Sequence, residues 1–109
     1  MIEIHGLKAC DTCRKALKAL NDAKVESSLR DLRATPPSRP EIERWHAVFG
    51  DSLLNIRSTT WRGLSAEERG GEPIDLMVAY PALIKRPVVL DGNQLYLGWT
   101  PATRSAIGL

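Results

Sequence analysis

The first third of the chain changes its hydrophobic period at Cys10. Ile2 and Ile4 alternate with polar residues, which is the period-two pattern of a short strand. From Cys10 onward the apolar residues follow a helical spacing, which predicts an amphipathic helix over about 11–22. Residues 25–32 mix β-branched and leucine positions with polar ones and predict a second strand. A β-α-β unit of this kind favours a parallel strand pair.

The middle of the chain is predicted to be mainly helical. Three prolines between residues 34 and 40 prevent a strand or helix from continuing there, because each fixes φ and removes a hydrogen-bond donor. Helices are predicted over 41–49, 65–68 and 74–80, with an irregular stretch and one helical turn after the first. The apolar faces of the two longer helices are predicted to contain Ile42, Trp45, Val48, Phe49, Ile74, Met77 and Val78.

The last part of the chain predicts a hairpin followed by a short helix. Asp91 and Gly92 lie between two strand-like runs, and Asp-Gly accepts the positive φ that a tight hairpin turn needs. Thr100 and Pro101 predict an N-cap with proline at the first helical position. This element order predicts an α/β domain over 1–109, with a thioredoxin-like fold, a mixed four-stranded sheet and an inserted helical subdomain at about 38–80.

Composition and charge exclude several classes of protein. The chain has 109 residues, is 43% hydrophobic and carries a net charge of +2. A domain of this size buries roughly two thirds of its unfolded surface, so it can fold without disulfide or metal staples. The charge is too small for a general nucleic-acid surface, and the longest apolar run is far short of the roughly 20 residues that span a bilayer. We expect neither direct nucleic-acid binding nor membrane insertion.

The two cysteines of the chain are three positions apart, at the start of the predicted first helix. The N-terminal residues show no basic leader and no apolar core of a signal peptide, so a reducing, cytoplasmic setting is expected. A Cys-x-x-Cys motif in that setting indicates redox or metal chemistry. Zinc would need two more ligands, and His5 and His46 lack ligand-like spacing. No metal site is predicted.

Cys10 is the predicted nucleophile. The unpaired N–H groups and the dipole of a helix N-terminus favour a thiolate, and Lys8, Arg14 and Lys15 add positive charge, which Asp11 opposes.

Cys13 follows one helical turn later and has two interpretations. It is placed to attack a mixed disulfide on Cys10 and release the partner thiol. It also lies on the apolar face with Ala16, where a cysteine commonly serves as a small core residue.

Arginines are the candidate partners of the thiolate. Arg86 precedes Pro87 at the start of the third strand, and a proline at this point of a thioredoxin-type domain lies against the cysteine loop. A guanidinium there could hold the thiolate or bind a carboxylate or oxyanion in a bidentate manner. The alternative is a solvated surface arginine. A second polar group could be formed by Arg57, Thr60 and Arg62, with the aromatic ring of Trp61 beside it. Trp61 would equally suit the hydrophobic core.

Three segments together resemble the family of ArsC-type arsenate reductases and Spx-like proteins. They are GLKACDTCRKA at 6–16, LNIRSTTWR at 54–62 and PALIKRP at 81–87, and they occur in the family's order. The Cys-Asp-Thr and Thr-Thr-Trp-Arg stretches are most similar to the small YffB-type reductase-like branch. The resemblance implies a thioredoxin-like fold with a helical insertion, a reactive Cys10, and a pocket lined by Arg57 and Arg86.

The resemblance also implies a function, a glutathione-linked thiol-disulfide reductase. It implies no tightly bound cofactor, glutathione as co-substrate, a thiol or disulfide substrate, and glutaredoxin as a partner. The expected catalytic residues are Cys10, Cys13, Arg57 and Arg86. The expected substrate-binding residues are Lys8, Thr12, Thr60, Arg62 and Pro87.

Arsenate itself is not the expected substrate. The arsenate reducers of this family carry a third arginine, a histidine and a serine where this chain has Gly98, Gly6 and Cys13. An oxyanion pocket would therefore lack part of its electrostatic support.

Two other functions remain open. The same Cys-x-x-Cys motif occurs in Spx-like regulators, where its oxidation alters docking onto RNA polymerase, so a redox-switch regulator is the main alternative. The third is a redox-inert domain in which Cys13 is only a core residue. The stretches shared with the YffB-type branch favour the enzyme.

Overall fold

Strands lie only towards the two ends of the chain, and helices fill its middle. A computed structural model describes residues 1–109. The strands are β1 (Ile2–Gly6), β2 (Ser27–Asp31), β3 (Val88–Asp91) and β4 (Gln94–Leu97). The helices are α1 (Asp11–Asp22), α2 (Arg39–Phe49), α3 (Thr59–Arg62), α4 (Ala66–Arg69), α5 (Pro73–Ala79) and α6 (Pro101–Ala106). None of them is long and apolar enough to cross a membrane.

The chain divides into two units. The sheet unit comprises Met1–Thr35 and Arg86–Leu109, and the helical unit comprises Pro36–Lys85. The helical insertion predicted at about 38–80 falls inside the helical unit, which extends a few residues further at each end.

The sheet has the mixed topology that the element order predicts. Its strand order is β2-β1-β3-β4, with β1 parallel to β2 and antiparallel to β3, and with β3 and β4 forming an antiparallel hairpin. Gly92 in the hairpin turn has a φ of 59°, a left-handed conformation that glycine adopts without a steric penalty. The thioredoxin-like fold predicted from the order of elements is confirmed.

The core of the sheet unit lies between the sheet and α1. Ile4 pairs with Val89 in the β1–β3 register, so both side chains project from the same face of the sheet. The spacing of α1 places one stripe of small and apolar side chains against that face. The buried members of this core are Ile2, Ile4, Cys13, Ala16, Leu20 and Val89. Cys13 is therefore both a core residue and a neighbour of Cys10.

Two residues that were predicted on the apolar faces of the helical unit are exposed, so these two predictions were wrong. Val48 is 59% exposed and Val78 is 39% exposed, whereas Trp45, Leu76 and Met77 are buried. Val48 is six residues after the buried Ile42, which rotates it about 120° away from the buried side of an α-helix. In α5 the buried direction lies near Leu76 and Met77, and Val78 projects away from it.

Candidate active site

The cysteine motif occupies the turn that joins β1 to α1. Cys10 is the N-cap residue of α1, with φ of −79° and ψ of 121°, and its carbonyl accepts a hydrogen bond from the Arg14 N–H at 3.0 Å. The Cys10 N–H donates to the Leu7 carbonyl at 3.1 Å, which closes the turn. The Cys10 side chain is half-buried, so its sulfur remains accessible to another molecule while the backbone holds it in place.

The surroundings of the Cys10 sulfur favour its ionised form. Burial acts to raise the pKa of Cys10, but the N–H of Cys13, the thiol of Cys13, the N–H of Thr12 and the charge of Arg86 together outweigh it and lower the pKa. These amides act on the sulfur as dipoles, because the Cys10 side chain makes no cap hydrogen bond of normal geometry. The thiolate predicted at the helix N-terminus therefore has a physical basis in the structure.

Cys13 has the opposite environment. Its side chain is fully buried, and burial is the main cause that raises its pKa to about 11, reinforced by the hydrogen bond and the negative charge of Cys10. The Leu7 N–H and the charge of Arg86 act in the other direction. The two thiols are neighbours but ionise at different pH, and Cys10 is the one that ionises at the lower pH.

Arg86 lies beside the cysteine turn because of strand register. His5 pairs with Val88 in the antiparallel β1–β3 ladder, so the residues that precede Val88 run alongside those that follow His5. The Arg86–Pro87 peptide bond is cis, and Arg86 is half-buried while Pro87 is buried. The guanidinium of Arg86 interacts electrostatically with both sulfurs. Arg86 is therefore half-buried rather than a fully solvated surface arginine, and its part in the chemistry of Cys10 stays a prediction.

Replacing Arg86 with glutamine should raise the pKa of Cys10. Removal of a positive charge from beside a thiolate destabilises the charged form, so less Cys10 is ionised at any given pH. The measurement is the pH midpoint of iodoacetamide labelling of Cys10. Arg44→Gln is the matched control, because it makes the same charge change at an exposed position of α2. A midpoint that moves equally in both variants would remove Arg86 from the site.

The other site residues of the sheet unit that were named from the sequence lie at the surface. Thr12 is exposed, and it contributes its backbone N–H to Cys10. Lys8 is exposed, and its N–H donates to the Asp31 carboxylate at 3.3 Å, which ties the loop after β1 to the end of β2. Asp11, which we expected to oppose the thiolate, forms an ion pair with Arg14 at 3.0 Å.

The helical unit contains the other predicted residues. Arg57 is exposed and lines a recess of about 470 Å³ together with Lys85. The Asn55 side-chain oxygen accepts a hydrogen bond from the Arg57 N–H at 3.1 Å and fixes this turn. Thr60 is half-buried and Arg62 is exposed, both in α3. The part that Arg57, Thr60 and Arg62 have in the chemistry of Cys10 stays a prediction.

Two residues at the junction of β1 and the cysteine turn were not predicted to contribute to the site. Leu7 directs its N–H at Cys13, and Gly6 lies directly against the Cys13 sulfur. A glycine at the end of a buried strand that leads into a Cys-x-x-Cys motif was the available signal for Gly6. The structure contains no group of three or more His, Cys, Asp or Glu side chains that could hold a metal ion.

Comparisons with known proteins agree on one family, and a transcriptional regulator is among the relatives. The model of the ArsC family matches residues 5–107. An uncharacterized protein of Haemophilus influenzae is 36% identical over 104 residues, which are 91% of each chain. The global transcriptional regulator Spx of Streptococcus pneumoniae is 25% identical over 105 residues, 91% of this chain and 79% of the regulator. The solved structure of the YffB protein covers 97% of both chains at 34% identity, with a TM-score of 0.89.

Proposed function

Because the chain belongs to the ArsC family, we propose that it is a thiol-disulfide reductase with Cys10 as nucleophile and glutathione as co-substrate. The observation that carries the proposal is the different ionisation of two neighbouring thiols: the pKa of Cys10 is lowered, and the pKa of Cys13 is raised to about 11. Thiol-disulfide exchange needs one accessible thiolate, and this arrangement selects Cys10 for that role.

The first step is attack of the Cys10 thiolate on one sulfur of a disulfide substrate. The substrate S–S bond breaks, a Cys10 mixed disulfide forms, and the other half of the substrate leaves as a thiolate. Its negative charge develops near Arg86, whose guanidinium stabilises it. The Cys10 sulfur loses its own negative charge in the same step.

Two routes complete the cycle. In the direct route, a glutathione thiolate attacks the Cys10 sulfur and frees the second substrate thiol, and a second glutathione then restores the Cys10 thiolate and leaves as glutathione disulfide. In the internal route, Cys13 attacks the Cys10 sulfur, and two glutathione molecules reduce the resulting disulfide. Either route transfers two electrons from two glutathione molecules to one disulfide.

Free positive charges support glutathione as the thiol. Glutathione carries two carboxylates, and guanidinium groups bind carboxylates in a bidentate manner. Arg86 stands beside Cys10, and neither Arg57 nor Lys85 forms an ion pair. We propose that a glutathione moiety or a thiol substrate contacts Arg86, Lys8, Thr12 and Pro87 of the sheet unit. For the helical unit we propose, separately, that Arg57, Thr60 and Arg62 bind such a molecule.

The region after β4 makes arsenate a poor substrate in this proposal. Gly98, where arsenate reducers of the family carry an arginine, has a φ of 80° and donates its N–H to the Pro87 carbonyl at 2.8 Å. A side chain at this φ is strained, so the local backbone suits glycine. The site therefore has fewer fixed cations for an oxyanion than an arsenate reductase needs.

The proposal is tested by mass spectrometry of the reduced protein after treatment with glutathione disulfide. We expect oxidation at Cys10, either as a glutathione adduct or as a disulfide with Cys13. Cys10→Ser protein should remain unmodified under the same conditions. Wild-type protein that stays fully reduced, or that is modified equally in the Cys10→Ser variant, would overturn the proposal.

A redox-switch regulator is the second candidate, because Spx is among the relatives. On that interpretation oxidation of Cys10 and Cys13 would change binding to RNA polymerase. Co-purification with RNA polymerase in only one redox state, together with no catalytic turnover of disulfides, would favour the regulator. Glutathione-dependent turnover without such binding would favour the enzyme.

A further inference from the structure

Gly6 is the last residue of β1 and is buried beside the cysteine turn. Its φ is not in the left-handed region, which among the glycines is occupied by Gly50, Gly92, Gly98 and Gly108. The backbone at Gly6 could therefore be adopted by any L-residue. The reason for glycine at this position must be the space around it.

The space at Gly6 is occupied by the sulfur of Cys13. A Cβ atom built on Gly6 overlaps Cys13 Sγ, at a separation that real atoms do not adopt. Its next neighbours are Cys13 Cβ at 3.5 Å and Arg86 Cβ at 3.9 Å, both at ordinary van der Waals distance. The Cys13 sulfur is thus the single obstacle to a side chain at residue 6.

The Cys13 sulfur is held where Gly6 leaves room for it. The Leu7 N–H and the Cys10 side chain both interact with the Cys13 thiol. Cys13 is fully buried and lies in the first turn of α1, where side chains are restricted to a few staggered rotamers. A methyl group at residue 6 must therefore rotate the thiol or shift α1, and either movement breaks the alignment between Cys13 and Cys10.

We propose that Gly6 is a positioning residue that seats the Cys13 thiol against Cys10, and that Cys13 therefore resolves mixed disulfides formed on Cys10. The inference rests on the proposed function and selects its internal route. Cys13, as a thiolate, attacks the Cys10 sulfur, a Cys10–Cys13 disulfide forms, and the bound thiol leaves with the electron pair of the broken bond. The Cys13 proton passes to solvent, and glutathione later supplies the two electrons that reduce the pair.

The loss of the Cys10 charge in the mixed disulfide assists this step. The hydrogen bond and the charge of the Cys10 thiolate are two of the causes that raise the pKa of Cys13, after burial. Both disappear once Cys10 is bonded to another sulfur, while the Leu7 N–H remains. Cys13 thus becomes easier to ionise at the stage when its thiolate is needed.

The first test follows the fate of a glutathione adduct on Cys10. Reduced protein is mixed with glutathione disulfide, excess reagent is removed, and mass spectrometry follows glutathione release without added thiol. Wild-type protein should release it and form the internal disulfide, whereas Gly6→Ala should keep the adduct about 100-fold longer, as expected for a misplaced reacting group. Gly70→Ala is the matched control, because its added Cβ meets only backbone oxygens, at 3.4 and 3.8 Å.

The second test measures the steric coupling between the two positions and remains informative if Gly6→Ala is poorly folded. In wild-type protein, Gly6→Ala should lower the urea midpoint of unfolding clearly. In Cys13→Ala protein, where no sulfur obstructs the methyl group, the same change should shift the midpoint by much less. Equal shifts in both backgrounds would show that the Cys13 sulfur is not the obstacle and would overturn the inference.

The outcomes separate this inference from the proposed function. If wild-type protein forms neither a glutathione adduct nor a Cys10–Cys13 disulfide, the proposed function fails. If wild-type and Gly6→Ala protein both form the adduct and release glutathione at the same rate, the proposed function stands and the role of Gly6 is wrong.

Discussion

Cys10→Ser protein is expected to lose glutathione-dependent disulfide reduction by more than about 1000-fold, which corresponds to about 4 kcal/mol of transition-state stabilisation. Serine keeps the size and polarity of the side chain but is not ionised near neutral pH, so the amides of Thr12 and Cys13 and the charge of Arg86 have no thiolate to stabilise. The measurement is kcat/KM for a small disulfide in the presence of glutathione.

The stability of Cys10→Ser protein provides the control for this prediction. The side chain is half-buried and its sulfur makes no cap hydrogen bond of normal geometry, so the free energy of unfolding should change by only about 0.5 kcal/mol. A folded Cys10→Ser variant that keeps wild-type turnover would show that the chemistry occurs elsewhere.

Cys13→Ala protein is expected to form the Cys10–glutathione adduct and to retain it. Without the second thiol no internal disulfide can form, so only an external thiol can release the bound glutathione. The variant also loses the thiol hydrogen bond that lowers the pKa of Cys10, so labelling of Cys10 should require a higher pH than in wild-type protein. Intact-mass measurement after glutathione disulfide treatment should show one added glutathione, stable after the reagent is removed.

Added glutathione is the control for Cys13→Ala. The adduct should disappear when reduced glutathione is supplied, because the direct route does not need Cys13. Release of glutathione from the variant at the wild-type rate, with no thiol added, would contradict a resolving role for Cys13.

Local signals were sufficient to predict most of the fold. The cap at Thr100 depends on neighbouring residues alone, and its side chain accepts the backbone N–H three positions later, as expected. The hairpin at Gly92 is equally local. The buried face of α5 could not be predicted correctly, because the helix is only one to two turns long. Its spacing predicted a buried Val78, whereas Leu76 is the buried residue.

The sequence predicted individual residues of the site but not the contacts between them. The helix N-terminus identified Cys10 from sequence spacing, since the effect of the dipole is local. The contact between Gly6 and the Cys13 sulfur joins the end of a strand to the first turn of a helix, and no period or spacing encodes it. The position of Arg86 needed the β1–β3 register, which the hairpin signal alone does not supply.

The difference in ionisation between Cys10 and Cys13 is the central claim, and residue-resolved labelling across a range of pH tests it most directly. Reduced protein is exposed briefly to iodoacetamide between pH 5 and 11, and peptide mass spectrometry measures alkylation at each cysteine. The structure predicts a labelling midpoint for Cys10 below that of an ordinary thiol, with Cys13 unlabelled until far higher pH. Labelling of both cysteines along one ordinary thiol curve would contradict the account.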